Sequence, residues 1–246
     1  MKSVLAASTV LLALAGSSFG QLVPSGVTEA SGLNTVLRNA PRTYQAYYHQ
    51  SNFASVTAPT TLTGLQFRLF ANSTQNGVGA APSWPATNQT FSNYTIMLGQ
   101  PSAAINTAGE IPNTTTSFAA NMVNAVTVYN AALTITAGSF LNDGTTTTPA
   151  SWGLTINFST PYTYNPGDGL MLYISHTGYT GGAPQPFFAV GNFAANVADA
   201  VSSTAGANAT TPGGFSSPMI VQFIPTPGAM AMLGLGGLAA ARRRRA

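Results

Sequence analysis

Five carboxylates and two histidines are what this chain offers for general acid–base or metal chemistry. Asp143 and Asp168 sit in Asn-Asp-Gly and Gly-Asp-Gly turns, where an aspartate usually serves the backbone. Glu29 and Glu110 fall in expected loops, and Asp199 completes the set. Acid–base catalysis needs two groups whose pKa values can be set apart, so a polysaccharide hydrolase would draw its carboxylate pair from these five. His49 ends a tyrosine-rich segment and His176 follows an apolar one, which predicts surface or loop positions for both. Neither belongs to a His-x-His or His-Glu-x-x-His pattern, the Asp/Asn alternation of a calcium loop is missing, and there is no cysteine. No catalytic set, metal site or cofactor is therefore expected.

Two literal motifs fail on context. Gly16-Ser-Ser18-Phe-Gly20 matches a nucleophile elbow but lies in an N-terminal leader. Gly234-Leu-Gly236-Gly-Leu-Ala239 matches a relaxed dinucleotide fingerprint with no strand before it. Binding by aromatic stacking is the remaining chemistry. Tyr44, Tyr47, Tyr48, Tyr162, Tyr164 and Tyr179 are candidates, and Trp152 alternates with core positions. Trp84, in the loop Pro82-Ser-Trp84-Pro85, is the expected exposed ligand platform, because sandwich folds carry function on loops.

The elements that must position these residues are strands. Segment 152–158 alternates large apolar with small or polar residues, the period of a strand with one buried face. Segments 65–69 and 93–98 repeat the pattern, while 169–175 is apolar on both sides, as in a central strand. Further strands are expected at 42–49, 125–129, 131–135, 187–190 and 219–224. Turn signals separate them at Asn76-Gly77, Asn142-Asp143-Gly144 and Asn165 to Gly169, with loops at 145–148 and 202–212. About eight to ten short strands predict an all-β, antiparallel, jelly-roll-like β-sandwich in a single domain over 21–224. Helical signals are nearly missing there.

The two ends read as address labels. Lys2, an apolar run from Val4 to Ala15 and small residues at Ser18 and Gly20 form a secretory signal peptide over 1–20, cut between Gly20 and Gln21. At the other end, Pro225-Thr226-Pro227 precedes fourteen uncharged residues, Gly228 to Ala241, and then Arg242, Arg243, Arg244 and Arg245. A permanent spanning helix needs about 20 apolar residues, so this segment suits a transient stop with its arginines on the cytoplasmic side. A nucleic-acid tail or a last core strand would also account for parts of it. The Gly/Ala content offers little to pack, and the apolar stretch argues against nucleic acid. The net charge of +3 belongs to the ends: between the two cuts, three arginines face five carboxylates, a net −2. The body has no basic surface for nucleic acid.

The tail over 225–246 resembles the PEP-CTERM sorting signal of Gram-negative bacteria, with Thr226 where that family usually has Glu. The resemblance implies recognition by exosortase, a membrane protease that cuts near the motif, and an envelope with extracellular polysaccharide. Thr160-Pro-Tyr-Thr-Tyr164-Asn165-Pro166-Gly167 and Arg42-Thr-Tyr-Gln45 are similar to phrases in exported β-sandwich proteins with this tail. The expected protein is non-enzymatic and exported, anchored briefly in the membrane through a C-terminal sorting helix, and left at the cell surface or in the matrix. Its expected partners are exosortase, the export machinery and an extracellular glycan or surface protein. The alternative is a secreted hydrolase acting on polysaccharide through a carboxylate pair.

Overall fold

Tyr44, Ala46 and Tyr48 turn one way from their strand while Tyr47 turns the other, and both sides are buried. That alternation organises the whole molecule. A computed structural model describes residues 24–71, 82–112, 116–180 and 185–226. The expected signal peptide and Gly20–Gln21 cut, Asn76-Gly77, Pro227, the apolar segment and Arg242 to Arg245 lie outside the described residues. In chain order the strands are β1 (Glu29–Leu33), β2 (Arg42–Tyr48), β3 (Thr60–Arg68), β4 (Ser83–Trp84) and β5 (Gln89–Pro101). Two short helices follow, α1 (Ala103–Ala108) and α2 (Phe118–Asn121). Then come β6 (Met122–Ile135), β7 (Phe140–Leu141), β8 (Trp152–Tyr164), β9 (Leu170–His176) and β10 (Phe188–Gly191). The last three are β11 (Ala198–Ser203), β12 (Gly214–Ser216) and β13 (Gln222–Pro225).

All pairings are antiparallel. The largest sheet runs β12-β11-β2-β9-β5-β6, and a second runs β13-β3-β8. β1 pairs with β10, and β4 with β7. One apolar cluster is shared by the inner face of the six-stranded sheet, through Tyr48, Ile96 and Leu172, and by Leu65, Phe67, Ile156 and Phe223 of the three-stranded one. Each such side chain contributes about 1.5–3 kcal/mol on burial.

The outer face of the large sheet is covered as well. Tyr47, Met171 and Val201 pack against Ile105, Ile111 and Phe118 from the helical segment. Buried Gln45 locks this cover, donating from Nε2 to the Phe118 carbonyl at 2.9 Å and accepting from Asn121 Nδ2 at 2.9 Å. β9, between β2 and β5, is therefore apolar on both faces, as its sequence requires. Helix α1 ends at Gly109, whose φ of +72° closes the helix with a hydrogen bond to Ile105.

Several expectations change. Segments 125–129 and 131–135 are one continuous strand, β6, which absorbs its irregularity in register shifts against β5. β8 continues past the expected end at Phe158, through Pro161 to Tyr164; Pro161 lies on an edge strand, inside a register shift against β3. Glu29 lies in β1 rather than a loop. His176 is the last residue of β9 and is buried, because its imidazole has partners on both ring nitrogens. Residues 202 and 203 belong to β11, and the loop beyond is pinned to the sheet. Thr43 Oγ1 donates to the Gly206 carbonyl at 2.8 Å and accepts from Ala209 N at 2.9 Å; Ser175 Oγ accepts from Asn208 N at 2.7 Å.

β13 runs directly into Pro225-Thr226. Pro225 pairs with Leu62, and Thr226 N–H donates to the Thr61 carbonyl at 2.8 Å. Among the described residues, no helix is long and apolar enough to cross a membrane.

Candidate functional site

Trp84 is not an exposed platform. It is 1% exposed, because β4 pairs with β7 and presses the indole against Phe140, Tyr179 and Phe188, with ring centroids 5.7, 6.0 and 6.1 Å away. The flanking prolines bracket a core residue. Tyr44, Tyr47, Tyr48, Tyr162, Tyr164 and Tyr179 are also buried, and half-buried Trp152 lies under the Arg68 guanidinium at 5.0 Å.

The exposed aromatics are phenylalanines. Phe193, in the connection from β10 to β11, and Phe215, in the centre of β12, are 48% and 58% exposed. Their rings meet edge to face with centroids 5.9 Å apart. Together with Glu110, Ile111, Pro112, Ser216 and Ser217 they line an open groove of about 510 Å³. That volume falls within the range typical of small-ligand sites. Phe215 pairs with Val201, an outer-face residue, so the groove opens at the β12 edge of the outer face.

Three separate stretches of chain build the site, and hydrogen bonds fix their spacing. The Gly109 carbonyl accepts from Asn196 N at 2.8 Å, tying the α1 end to the loop that carries Phe193. Ile111 N–H donates to Asp199 Oδ2 at 2.7 Å. Asp199 Oδ1 accepts from Ala200 N–H. Burial pushes the Asp199 carboxyl up to about 6, the two N–H donors pull it back, and the charge of Glu110 adds to the push. Asp199 is inaccessible, so it shapes the wall without touching a ligand.

The other carboxylates are engaged elsewhere. Glu29 Oε2 pairs with Arg68 at 3.1 Å while its Oε1 accepts from Ala71 N–H at 2.7 Å. Asp143 accepts from the backbone and hydroxyl of Ser151, which hold its carboxyl below the usual range, and Asp168 accepts from Gln100 Nε2. The sequence predicts backbone service for both; Asp143 takes the Ser151 N–H, whereas the Asp168 carboxylate takes a side chain. Glu110 makes no hydrogen bond or ion pair with another described residue. Among the described residues it is the one charged group lining the groove.

The histidines are structural. His49 caps the turn that follows β2, its Nδ1 accepting from Ser51 N–H. His176 accepts at Nδ1 from Gly178 N–H and donates from Nε2 to the Thr35 carbonyl at 2.8 Å. Burial lowers its pKa to about 4; the Thr35 bond opposes this and Arg42 adds to it. Among the described residues no group of three His, Asp or Glu could hold a metal ion.

Two other hollows carry less chemistry. One, of about 320 Å³, borders Glu29 and Thr145 to Thr148, but its carboxylate already has Arg68. The other, of about 460 Å³, is an apolar crease between Phe118, Met122 and Tyr173.

Sequence reasoning missed Phe193 and Phe215 because it weighed only tyrosine and tryptophan as stacking residues. A signal was present. Each phenylalanine stands alone among small residues, Gly191-Asn-Phe193-Ala-Ala and Gly213-Gly-Phe215-Ser-Ser, which offer nothing to cover it. In comparisons with known proteins, no family model matches this chain, and no curated protein matches its sequence.

Proposed function

We propose that this chain is an exported cell-surface or matrix protein, a jelly-roll-like β-sandwich whose groove at Phe193 and Phe215 holds an extracellular glycan. The signal peptide would route it out of the cytosol. The Pro225-Thr226-Pro227 tail, with its apolar helix and arginines, would hold it in the membrane until exosortase releases it. The apolar cluster shared by the six-stranded and three-stranded sheets supports the two-layer reading. The observation that carries the binding role is the exposed Phe193–Phe215 pair beside Glu110. Aromatic faces take the C–H face of a sugar ring, and the carboxylate and serine hydroxyls of the groove can receive its hydroxyls.

Cell fractionation followed by mass spectrometry of the mature chain tests the routing. The expected chain begins at Gln21 and lacks Arg242 to Arg245. Recovery from the cytosol with both ends intact would refute it. Retention on the extracellular polysaccharide, compared between the natural chain and Phe193→Ser/Phe215→Ser, tests the groove.

A further inference from the structure

The groove carries a charge of one sign, and that selects among glycans. Glu110 is its one charged lining residue among the described residues, and the buried Asp199 carboxyl stands behind the wall at Ile111. Among the described residues no arginine or histidine lines the groove. The arginines of the body lie elsewhere: Arg68 is paired with Glu29, Arg38 donates to Asn34, and Arg42 donates to the Pro41 carbonyl. An anionic ligand would approach a negative wall with no counter-charge, whereas a cation would gain from it.

We propose that the ligand is an amino-sugar glycan, bound with a pyranose face against Phe215 and Phe193 and a protonated amine against Glu110. This rests on the glycan reading above and narrows it. Ser216 and Ser217 line the groove beside Phe215, where their hydroxyls meet the ring hydroxyls of the sugar. Phe193 and Phe215 supply area, and the negative faces of their rings add a weak preference for a cation. Discrimination therefore belongs chiefly to Glu110. Uronic-acid polymers are excluded by the same charge.

Titration of the full exported chain with three oligosaccharides of equal length tests this. The probes are glucosamine, N-acetylglucosamine and uronic-acid tetramers, in mildly acidic buffer that keeps the free amines protonated. The expected order is glucosamine first, N-acetylglucosamine second and uronate unbound. Glu110→Gln is expected to weaken the glucosamine tetramer by about threefold to fivefold, an effect that added salt erases, and to leave the N-acetyl tetramer unchanged. Phe215→Ala and Phe193→Ala should weaken both by about tenfold, and because these rings are exposed the variants should melt with the natural chain. A uronate tetramer that binds as well as glucosamine, and is lost in Phe215→Ala, overturns the charge selection and leaves the glycan reading in place. Binding of no tetramer, or binding indifferent to both phenylalanine variants, overturns the glycan reading itself.

Discussion

The imidazole of His176 lies flat against the phenol ring of Tyr94, their planes 6° apart and centroids 5.6 Å apart. Phe91 meets the same imidazole edge to face at 5.1 Å. A neutral ring suits this slot, and a protonated one would need the nitrogen that accepts from Gly178 to become a donor.

Acid should therefore act on the fold through two groups of opposite sense. His176, lowered to about 4 from 6.5, contributes stability that is complete above 6.5 and is lost as the pH falls through 4. Asp199, raised to about 6 from 3.8, contributes stability that is complete below 3.8 and is lost as the pH rises through 6. Each contribution is roughly 3 kcal/mol, and between pH 4 and 6 they cancel. Urea unfolding across this window should show no net slope from this pair. Asp199→Asn should expose the His176 term as a stability loss of roughly 1.4 kcal/mol per pH unit on acidification.

Trp84→Ala should destabilise the fold by about 3–5 kcal/mol, the usual cost of emptying an aromatic site. Thermal melting measures it. A change below 1 kcal/mol would mean that the cluster with Phe140, Tyr179 and Phe188 does not form.

Glu29→Ala should cost about 3–5 kcal/mol, because it strips a largely buried guanidinium of its partner and the Ala71 N–H of its acceptor. Pairing it with Arg68→Met should recover much of that loss. A double-mutant cycle by chemical denaturation reads the coupling.

Thr43→Val should free the loop over residues 204–210, since one hydroxyl both donates to Gly206 and accepts from Ala209. The stability cost should be about 1–3 kcal/mol. Protease cleavage confined to that loop, with the body intact, is the expected signature.

What could be read from the sequence was decided by side-chain size. Ile156 and Leu172 declare their faces because apolar bulk alternates or saturates around them, and β8 and β9 follow. β11 reads Ala-Asp-Ala-Val-Ser-Ser, whose small residues are buried only because β2 and the pinned loop lie against them. No local pattern reveals that. The groove was illegible for a related reason. Its residues come from positions 110–112, 193 and 215–217, and only the register of β12 on β11 and the tie of Gly109 to Asn196 unite them. Trp84 misled because flanking prolines signal a loop, while burial depends on the Phe140 strand far along the chain.

The passage of β13 straight into Thr226 has a mechanical consequence. A pull applied at Thr226 loads the Thr226–Thr61 bond first and then the short ladder that ends at Gln222. Within that ladder Phe223 is buried, its ring edge to face with Tyr48. Tension applied there would reach the body at a sheet margin and part contacts in sequence, with Phe223 the large aromatic anchor drawn out before Gln222.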